Sequence, residues 1–206
     1  MTLVSVTLPP RVTPGVHSLM PSARPRIAYQ GVPGAFSEDA IRAFWGDEAI
    51  GVPCHSFADV MEAVRSGAAD GAVLPVENAT VGPITSALDA LDDFSMGLTI
   101  GGTTDVPVVQ ALLGLPGATL EQIALITSHP VALGQCRRFL SAFGVPQEPY
   151  FDTAGAARMV SEKQDPTLAA VASHAAAERY GLIILADAIQ DEPDNWTRFV
   201  RIGAGQ

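Results

Sequence analysis

The chain reads as an α/β protein of two lobes with an active-site cleft between them. Three observations predict this. From residue 26 onward, short apolar, β-branched runs alternate with amphipathic segments about ten residues long, the pattern of βαβ units and parallel sheet. The polar clusters Glu77-Asn78, Ser128-His129 and Asp152-Thr153 each follow the carboxyl end of such a run, where open α/β sheets bind ligands. Residues 98–114 break the alternation with one extended, Gly- and Thr-rich stretch, which suits a crossing from one lobe to the other.

In chain order, residues 1–25 hold five prolines, and Pro9-Pro10 with Pro14 interrupt any signal-peptide core, so a loose N-terminal extension is expected. Ile27-Ala28-Tyr29-Gln30 is a strand, Gly31-Val32-Pro33-Gly34 a turn, and Ser37 is expected to cap a helix with Glu38 and Asp39 in its first turn. A short strand at 50–54 is followed, after Ser56, by Phe57, Val60, Met61 and Val64 at helical spacing. A buried strand at 71–76 precedes a helix carrying Ile84, Leu88 and Leu91. Beyond the crossing, strands are expected at 123–127, near 149–151, at 168–172 and at 182–185, with helices at 130–140, 153–162 and 173–180. Lobe one then comprises 26–103 plus 189–206, and lobe two 104–188.

Composition narrows the function. Hydrophobic content of 48% against 17% charged is a globular balance, and 206 residues can bury a real core. The net charge is −10, with no basic run of five, which argues against nucleic acid and anionic membrane as partners. No window approaches the roughly 20 apolar residues of a membrane span, so a cytoplasmic protein is expected. Cys54 and Cys136 lack Cys-x-x-Cys spacing and read as buried thiols of a reducing compartment. The histidines His17, His55, His129 and His174 show no metal-ligand spacing, so neither metal nor cofactor is expected.

The loop Gln190-Asp191-Glu192-Pro193-Asp194-Asn195 delivers Trp196-Thr197-Arg198-Phe199 into a strand, setting a hydroxyl donor beside a guanidinium at a cleft. This suggests an anion site with a proton donor. Glu77-Asn78 adds a carboxylate and an amide. Ser128 adds a hydroxyl ahead of Pro130, whose place at a helix start leaves free N–H groups. Gln135 lies about one and a half turns further, and Asp152-Thr153-Ala154-Gly155 opens a helix with small residues that allow close approach. Each has a plainer reading: Ser128, Asp152 and Thr153 as helix caps, Arg198 bracing its loop through Glu77 or Asp191, and Phe199 as core. Gly31 to Gly34 lacks the pattern of a phosphate loop, so no nucleotide is expected.

Six motifs stand in an order that resembles one family. They are Ala28-Tyr29-Gln30-Gly31-Val32-Pro33-Gly34-Ala35-Phe36-Ser37; Leu74-Pro75-Val76-Glu77-Asn78; Ser128-His129-Pro130 with Gln135-Cys136; Asp152-Thr153-Ala154-Gly155-Ala156-Ala157; Ala172-Ser173 with Tyr180-Gly181-Leu182; and Ile189-Gln190-Asp191 with Thr197-Arg198-Phe199. Together they are similar to the catalytic domain of prephenate and arogenate dehydratases. The resemblance implies decarboxylating dehydration of prephenate to phenylpyruvate in phenylalanine biosynthesis, with arogenate as the alternative substrate, in a type II periplasmic-binding-protein-like arrangement. It implies Thr197 as donor to the leaving hydroxyl, Glu77 and Asn78 beside it, and Ser128, Gln135, Arg198, Thr153, Ala154 and Phe199 around the substrate. It also implies a homodimer, for which the apolar stretch 106–113 is the one most able to supply a surface, burial inside lobe two being the equal alternative. The chain departs from the pattern at Ala79, where Ser is usual, and at Thr103 and Gln110, in the segment that often carries Gly-Glu and His. The family's regulatory ACT domain is expected to be missing, since the chain stops at Gln206. A related decarboxylase and a non-catalytic solute-binding protein are the competing readings.

Overall fold

The computed structural model of the chain describes residues 24–94 and 97–204; the expectation for residues 1–23 lies outside the described residues. The elements are β1 (Arg26–Gln30), α1 (Phe36–Trp45), β2 (Ile50–Cys54), α2 (Phe57–Arg65), β3 (Gly71–Asn78), β4 (Gly82–Pro83), α3 (Thr85–Phe94) and β5 (Leu98–Pro107). They continue with β6 (Ala111–Gly114), β7 (Leu125–Ser128), α4 (Pro130–Gln135), α5 (Arg137–Phe143), β8 (Gln147–Pro149), α6 (Thr153–Lys163), β9 (Leu168–Ala172), α7 (His174–Tyr180), β10 (Ile183–Ala186) and β11 (Trp196–Ala204).

Two sheets form. One has the order β2-β1-β3-β11-β5 with β4 on β3; the other has β10-β6-β9-β7-β8. Parallel pairing is confined to β1 with β2 and β3, and to β7 with β8 and β9. The expected parallel pairing is therefore present, within sheets that are mixed. β11 runs antiparallel to both β3 and β5, and β6 runs antiparallel to both β9 and β10. The reason is connectivity: β6, β10 and β11 flank the two crossings between sheets, whereas parallel neighbours need a crossover unit on one sheet. At the crossings the chain bonds to itself, Val108 N–H to the Asn195 carbonyl (2.9 Å) and Ile189 N–H to the Gln110 carbonyl (2.9 Å).

Three local expectations are revised. Ser37 does not cap α1; Ala35 holds that position without a side-chain bond, and Ser37 lies buried inside the helix. Glu38 does the organising, since its carboxylate accepts from Gly34 N–H (2.8 Å) and from the Tyr29 hydroxyl (3.0 Å). The single helix at 130–140 is two, broken at Cys136. The break has a partner: the Gln135 carbonyl accepts from Asp191 N–H (2.6 Å), and Asp191 Oδ1 accepts from Arg138 N–H (3.0 Å). Loop 187–195 thus takes backbone groups that a continuous helix would have paired internally. The stretch 106–113 is not a free surface, because Val106, Val108, Gln110, Ala111, Leu112 and Leu113 are all buried, β6 lying between β10 and β9.

Each sheet is covered on both faces by apolar clusters. Ala28, Val60, Met61, Leu74, Val76, Leu91 and Ile202 pack one face of the first sheet, and Ile27, Tyr29, Ile41, Val73 and Phe199 the other. Leu113, Ala154, Val160, Ala170 and Ala176 pack one face of the second, and Leu112, Ile126, Cys136, Leu140 and Val171 the other. Among the described residues, no helix is long and apolar enough to cross a membrane. Cys54 and Cys136 are free, and burial pushes the Cys136 thiol up to about 12, with the Asp191 charge adding to it.

Candidate active site

The register of β3 against β11 places Asn78 opposite Thr197 and Glu77 opposite Arg198, with a bulge just beyond at Arg198/Phe199. Bulges re-aim side chains and recur beside active sites. Asn78 is the hub. Its Nδ2 donates to Thr197 Oγ1 (3.0 Å), Asn195 Oδ1 (3.0 Å) and the Trp196 carbonyl (2.9 Å), so the three acceptors share two N–H groups. Its Oδ1 accepts from Thr80 N–H (3.0 Å), the Thr80 hydroxyl (2.7 Å) and Val81 N–H (3.3 Å), a side-chain turn that folds the loop after β3.

Gln135 reaches this hub from the other lobe. Its Nε2 donates to Asn78 Oδ1 (3.2 Å) and to Thr80 Oγ1 (2.7 Å). Thr80 is a site residue that sequence reading missed. The absence of Ser at Ala79 drew attention to that position, while the hydroxyl that meets Asn78 and Gln135 stands one residue later. Thr197 itself is nearly buried. Its oxygen accepts from Asn78, and among the described residues no acceptor takes its proton. Accepting a bond in this way polarises the hydroxyl as a donor.

Arg198 is tethered. Nη1 donates to Glu77 Oε2 (2.9 Å), while Nε and Nη2 fork onto Asp105 Oδ1 (2.8 Å) and Oδ2 (3.1 Å). The guanidinium also lies 4.8 Å over the Trp196 ring. The Asp105 carboxylate holds its pKa above the ordinary arginine value. Of the two readings open from sequence, bracing is the one the structure displays, with Asp105 as a partner in addition to Glu77. Asp105 was missed; a lone acidic residue in a Thr- and Val-rich strand, opposite Arg198 in register, was the available signal.

The remaining expected residues lie further inside. The Ser128 hydroxyl is fully buried and donates to the Val171 carbonyl (2.6 Å), bonding β7 to β9. Thr153 and Ala154 form the first turn of α6, which Asp152 caps through Gly155 N–H. Ala154 is fully buried in the apolar cluster of its lobe, and Phe199 packs with Tyr29 and Ile41. The structure therefore brings together Thr197, Asn78, Glu77, Arg198 and Gln135, and places Ala154 and Phe199 in the apolar clusters of their own lobes. His129 caps α4, its Nδ1 accepting from Val131 N–H (3.2 Å), and burial holds its pKa below the usual value against the opposing pull of Asp152.

Of two cavities between the lobes, the first borders this assembly. One of about 350 Å³ is lined by Thr80, Gln135, Arg137, Arg138, Asn195 and residues 190–192. A second of about 620 Å³ lies between Gln30, His55, Phe57 and Ile84 on one lobe and His129 and Phe151 on the other. Among the described residues there is no group of three or more His, Cys, Asp or Glu that could hold a metal ion.

Residues 27–206 match the family model for prephenate dehydratase. Arogenate dehydratase 1 of Petunia hybrida is 46% identical over 180 residues, covering 86% of this chain and 42% of that protein. Arogenate dehydratase/prephenate dehydratase 6, chloroplastic, of Arabidopsis thaliana is 45% identical, covering 86% and 43%. The chain thus spans less than half the length of these curated relatives. Among solved structures, the prephenate dehydratase of Arthrobacter aurescens in complex with L-Phe superposes with a TM-score of 0.80 at 32% identity, covering 88% of this chain and 61% of that one. A structure described as GqqA, a novel type of quorum quenching acylase, gives 0.79 at 39% identity, covering 88% and 64%.

Proposed function

The chain belongs to the prephenate dehydratase family, and from that premise we propose that it converts prephenate to phenylpyruvate by loss of CO₂ and hydroxyl, with arogenate to phenylalanine as the alternative. The observation that carries this reading is the Thr197 hydroxyl, oriented by Asn78 with its proton uncommitted. In the reaction the bond from the ring to its carboxylate breaks, and its electron pair enters the ring as the C–O bond opposite breaks. The oxygen takes up a proton that solvent supplies and leaves as water. Thr197 donates the hydrogen bond that stabilises the oxygen as negative charge develops on it.

Asn78 and Glu77 act on this donor as positioning groups, Asn78 directly and Glu77 by holding Arg198. The tethering of Arg198 to two carboxylates has a mechanistic use, because a guanidinium free to pair with the departing carboxylate would stabilise the ground state. Gln135 joins the lobes over the hub, while Ser128, Ala154 and Phe199 support the two lobes from within. The relatives named arogenate dehydratase support the alternative substrate, and the same donor geometry serves both, since they share the ring. The test supplies each substrate separately and follows phenylpyruvate and phenylalanine. Turnover of neither would leave a non-catalytic binding protein as the better reading.

Two further parts of the proposal concern setting. The free thiols Cys54 and Cys136 suit a reducing compartment such as the cytoplasm. A homodimer, if formed through this domain, would use a surface other than 106–113. The outer strands β10, with Ile183 and Ile184 exposed, and β5, with Ile100 exposed, offer apolar edges, and light scattering tests the assembly.

A further inference from the structure

A substrate of the proposed class carries two carboxylates, and the site described so far binds neither. Arg198 is spent on Glu77 and Asp105. The carboxylate that leaves the ring is best left unpaired, but the side-chain carboxylate is unchanged by the reaction and is the proper anchor. A cation for it must come from elsewhere.

Arg137 offers one. It opens α5 just after the break at Cys136 and is exposed, and among the described residues it has neither an ion pair nor a hydrogen bond. Its neighbour Arg138 is engaged by Glu192 (3.5 Å) and by the Asp191 carbonyl (3.5 Å), and the Asp191 carboxylate accepts from the Arg138 backbone. Both arginines line the cavity of about 350 Å³, within the size range of small-molecule sites. Asn195 lines the same cavity and supplies an independent observation. It is 4% exposed, and its Oδ1 accepts from Asn78, yet its Nδ2 is buried without a partner. A buried donor left unpaired is costly, and an oxygen acceptor brought to it would satisfy it.

We propose that this cavity is the subsite for the side-chain carboxylate of the substrate, with Arg137 supplying the charge and Asn195 a neutral donor. It rests on the dehydratase reading for the identity of the ligand, and it extends that site by a binding residue outside the Asn78–Thr197 hub. Asn195 then has two jobs, one oxygen fixing Asn78 and one nitrogen meeting the substrate, which ties carboxylate binding to orientation of the Thr197 donor. Asp191 and Glu192 share the wall, so the subsite is not a general anion trap.

The test uses phenylpyruvate as probe, since it retains this carboxylate, and titrates it against the full 206-residue chain and its Arg137→Ala and Arg137→Lys variants. Circular dichroism first establishes that the variants are folded, as an exposed position allows. The expected result is a Kd raised about fivefold or more in Arg137→Ala and largely restored in Arg137→Lys, with KM for the turned-over substrate rising in parallel while kcat changes less than about threefold. A Kd for Arg137→Ala closer to wild type than about fivefold, or no binding of phenylpyruvate by wild type at about millimolar concentration, overturns the subsite. The two readings separate cleanly. Arg137-dependent binding without turnover of prephenate or arogenate removes the dehydratase reading and keeps the subsite, whereas turnover insensitive to Arg137 does the reverse.

Discussion

The two lobes touch along two seams built on different principles. At the first, residues 31–35 of one lobe press into α7 of the other. The Ser173 hydroxyl donates to the Gly34 carbonyl (2.8 Å), the Tyr180 hydroxyl donates to the Pro33 carbonyl (2.6 Å), and Val32 and Ala35 join the apolar cluster of the far lobe. Gly34 has φ of +92°, and a Cβ there would stand 2.9 Å from the Ala176 Cα, so backbone meets backbone. The second seam is Gln135 against Asn78 and Thr80, amide to oxygen near solvent. The first buries apolar surface and carbonyls that water cannot replace without loss; the second exchanges for water at little cost. Interlobe motion should therefore pivot at 31–35 and open at Gln135, beside Asn78 and the Thr197 hydroxyl.

The largest effect that sharpens this contrast is expected at the open seam. Thr197→Ala should lower kcat by about 10²–10³, because one preorganised donor to a developing oxyanion is worth that much, while substrate binding stays within about tenfold. Steady-state kinetics and an independent Kd decide it, and a variant turning over near wild type would remove Thr197 from the chemistry. The fixed seam should answer in stability instead. Ser173→Ala loses both the cap on Ala176 N–H (3.1 Å) and the bond to Gly34, both buried. A loss of about 2 kcal/mol in denaturant unfolding is expected, with kcat for the residual folded enzyme unchanged. If Ser173→Ala instead damages kcat and spares stability, the two seams have been assigned the wrong way round.

Gln135→Ala comes next. It removes two bonds that solvent can replace, so unfolding should shift by less than about 1 kcal/mol, while KM rises roughly five- to tenfold as the closed arrangement loses its fastener. Equal losses in stability and KM would make the second seam structural as well. The smallest effect is with pH. Burial lowers the His129 pKa, so above the ordinary histidine value neither folded nor unfolded chain carries its proton, and there is no penalty. As pH falls below about 6.5, the unfolded chain takes a proton that the folded one resists, so stability declines toward the lowered folded pKa. The difference between wild type and His129→Asn, measured by unfolding from pH 7.5 to 5.5, isolates this contribution. Over about pH 6.5–8, kcat should be flat, since a threonine hydroxyl does not titrate there. A steep kcat profile in that range would instead implicate an ionising group.

Periodicity was enough where an element is governed by its own burial pattern. The run Leu168–Ala172 is a strand buried along its whole length, and the Phe57, Val60, Met61 and Val64 spacing is α2, closed by a Ser56–Asp59 capping box. Motif order was also enough to pick out Glu77, Asn78, Gln135 and Thr197 as one group before any geometry was known. It failed where a residue's role depends on a partner distant in sequence. Ser37 looked like a cap until Glu38 met Tyr29 and Gly34. Likewise, no sequence signal showed that the Ser128 hydroxyl donates to the carbonyl of Val171, 43 residues away.

What the amino-acid sequence determined by itself is the kind of protein this is: alternating elements, two lobes, polar residues at strand ends, and an uncharged hydroxyl donor beside an arginine. Those properties are local, set by side-chain spacing and by the few residue types able to do the chemistry. Tertiary structure alone decided how the polar groups are shared out. A hydrogen-bond donor satisfies only as many acceptors as it has protons, and which ones it meets depends on strand register and lobe contact. Register against β3 and β5 committed Arg198 to Glu77 and Asp105, and the same register turned Asn78 onto Thr197. The lobe contact brought Gln135 to Thr80, and the break at Cys136 left Arg137 unclaimed. Competition for partners is a property of the whole fold, and no stretch of the chain contains it.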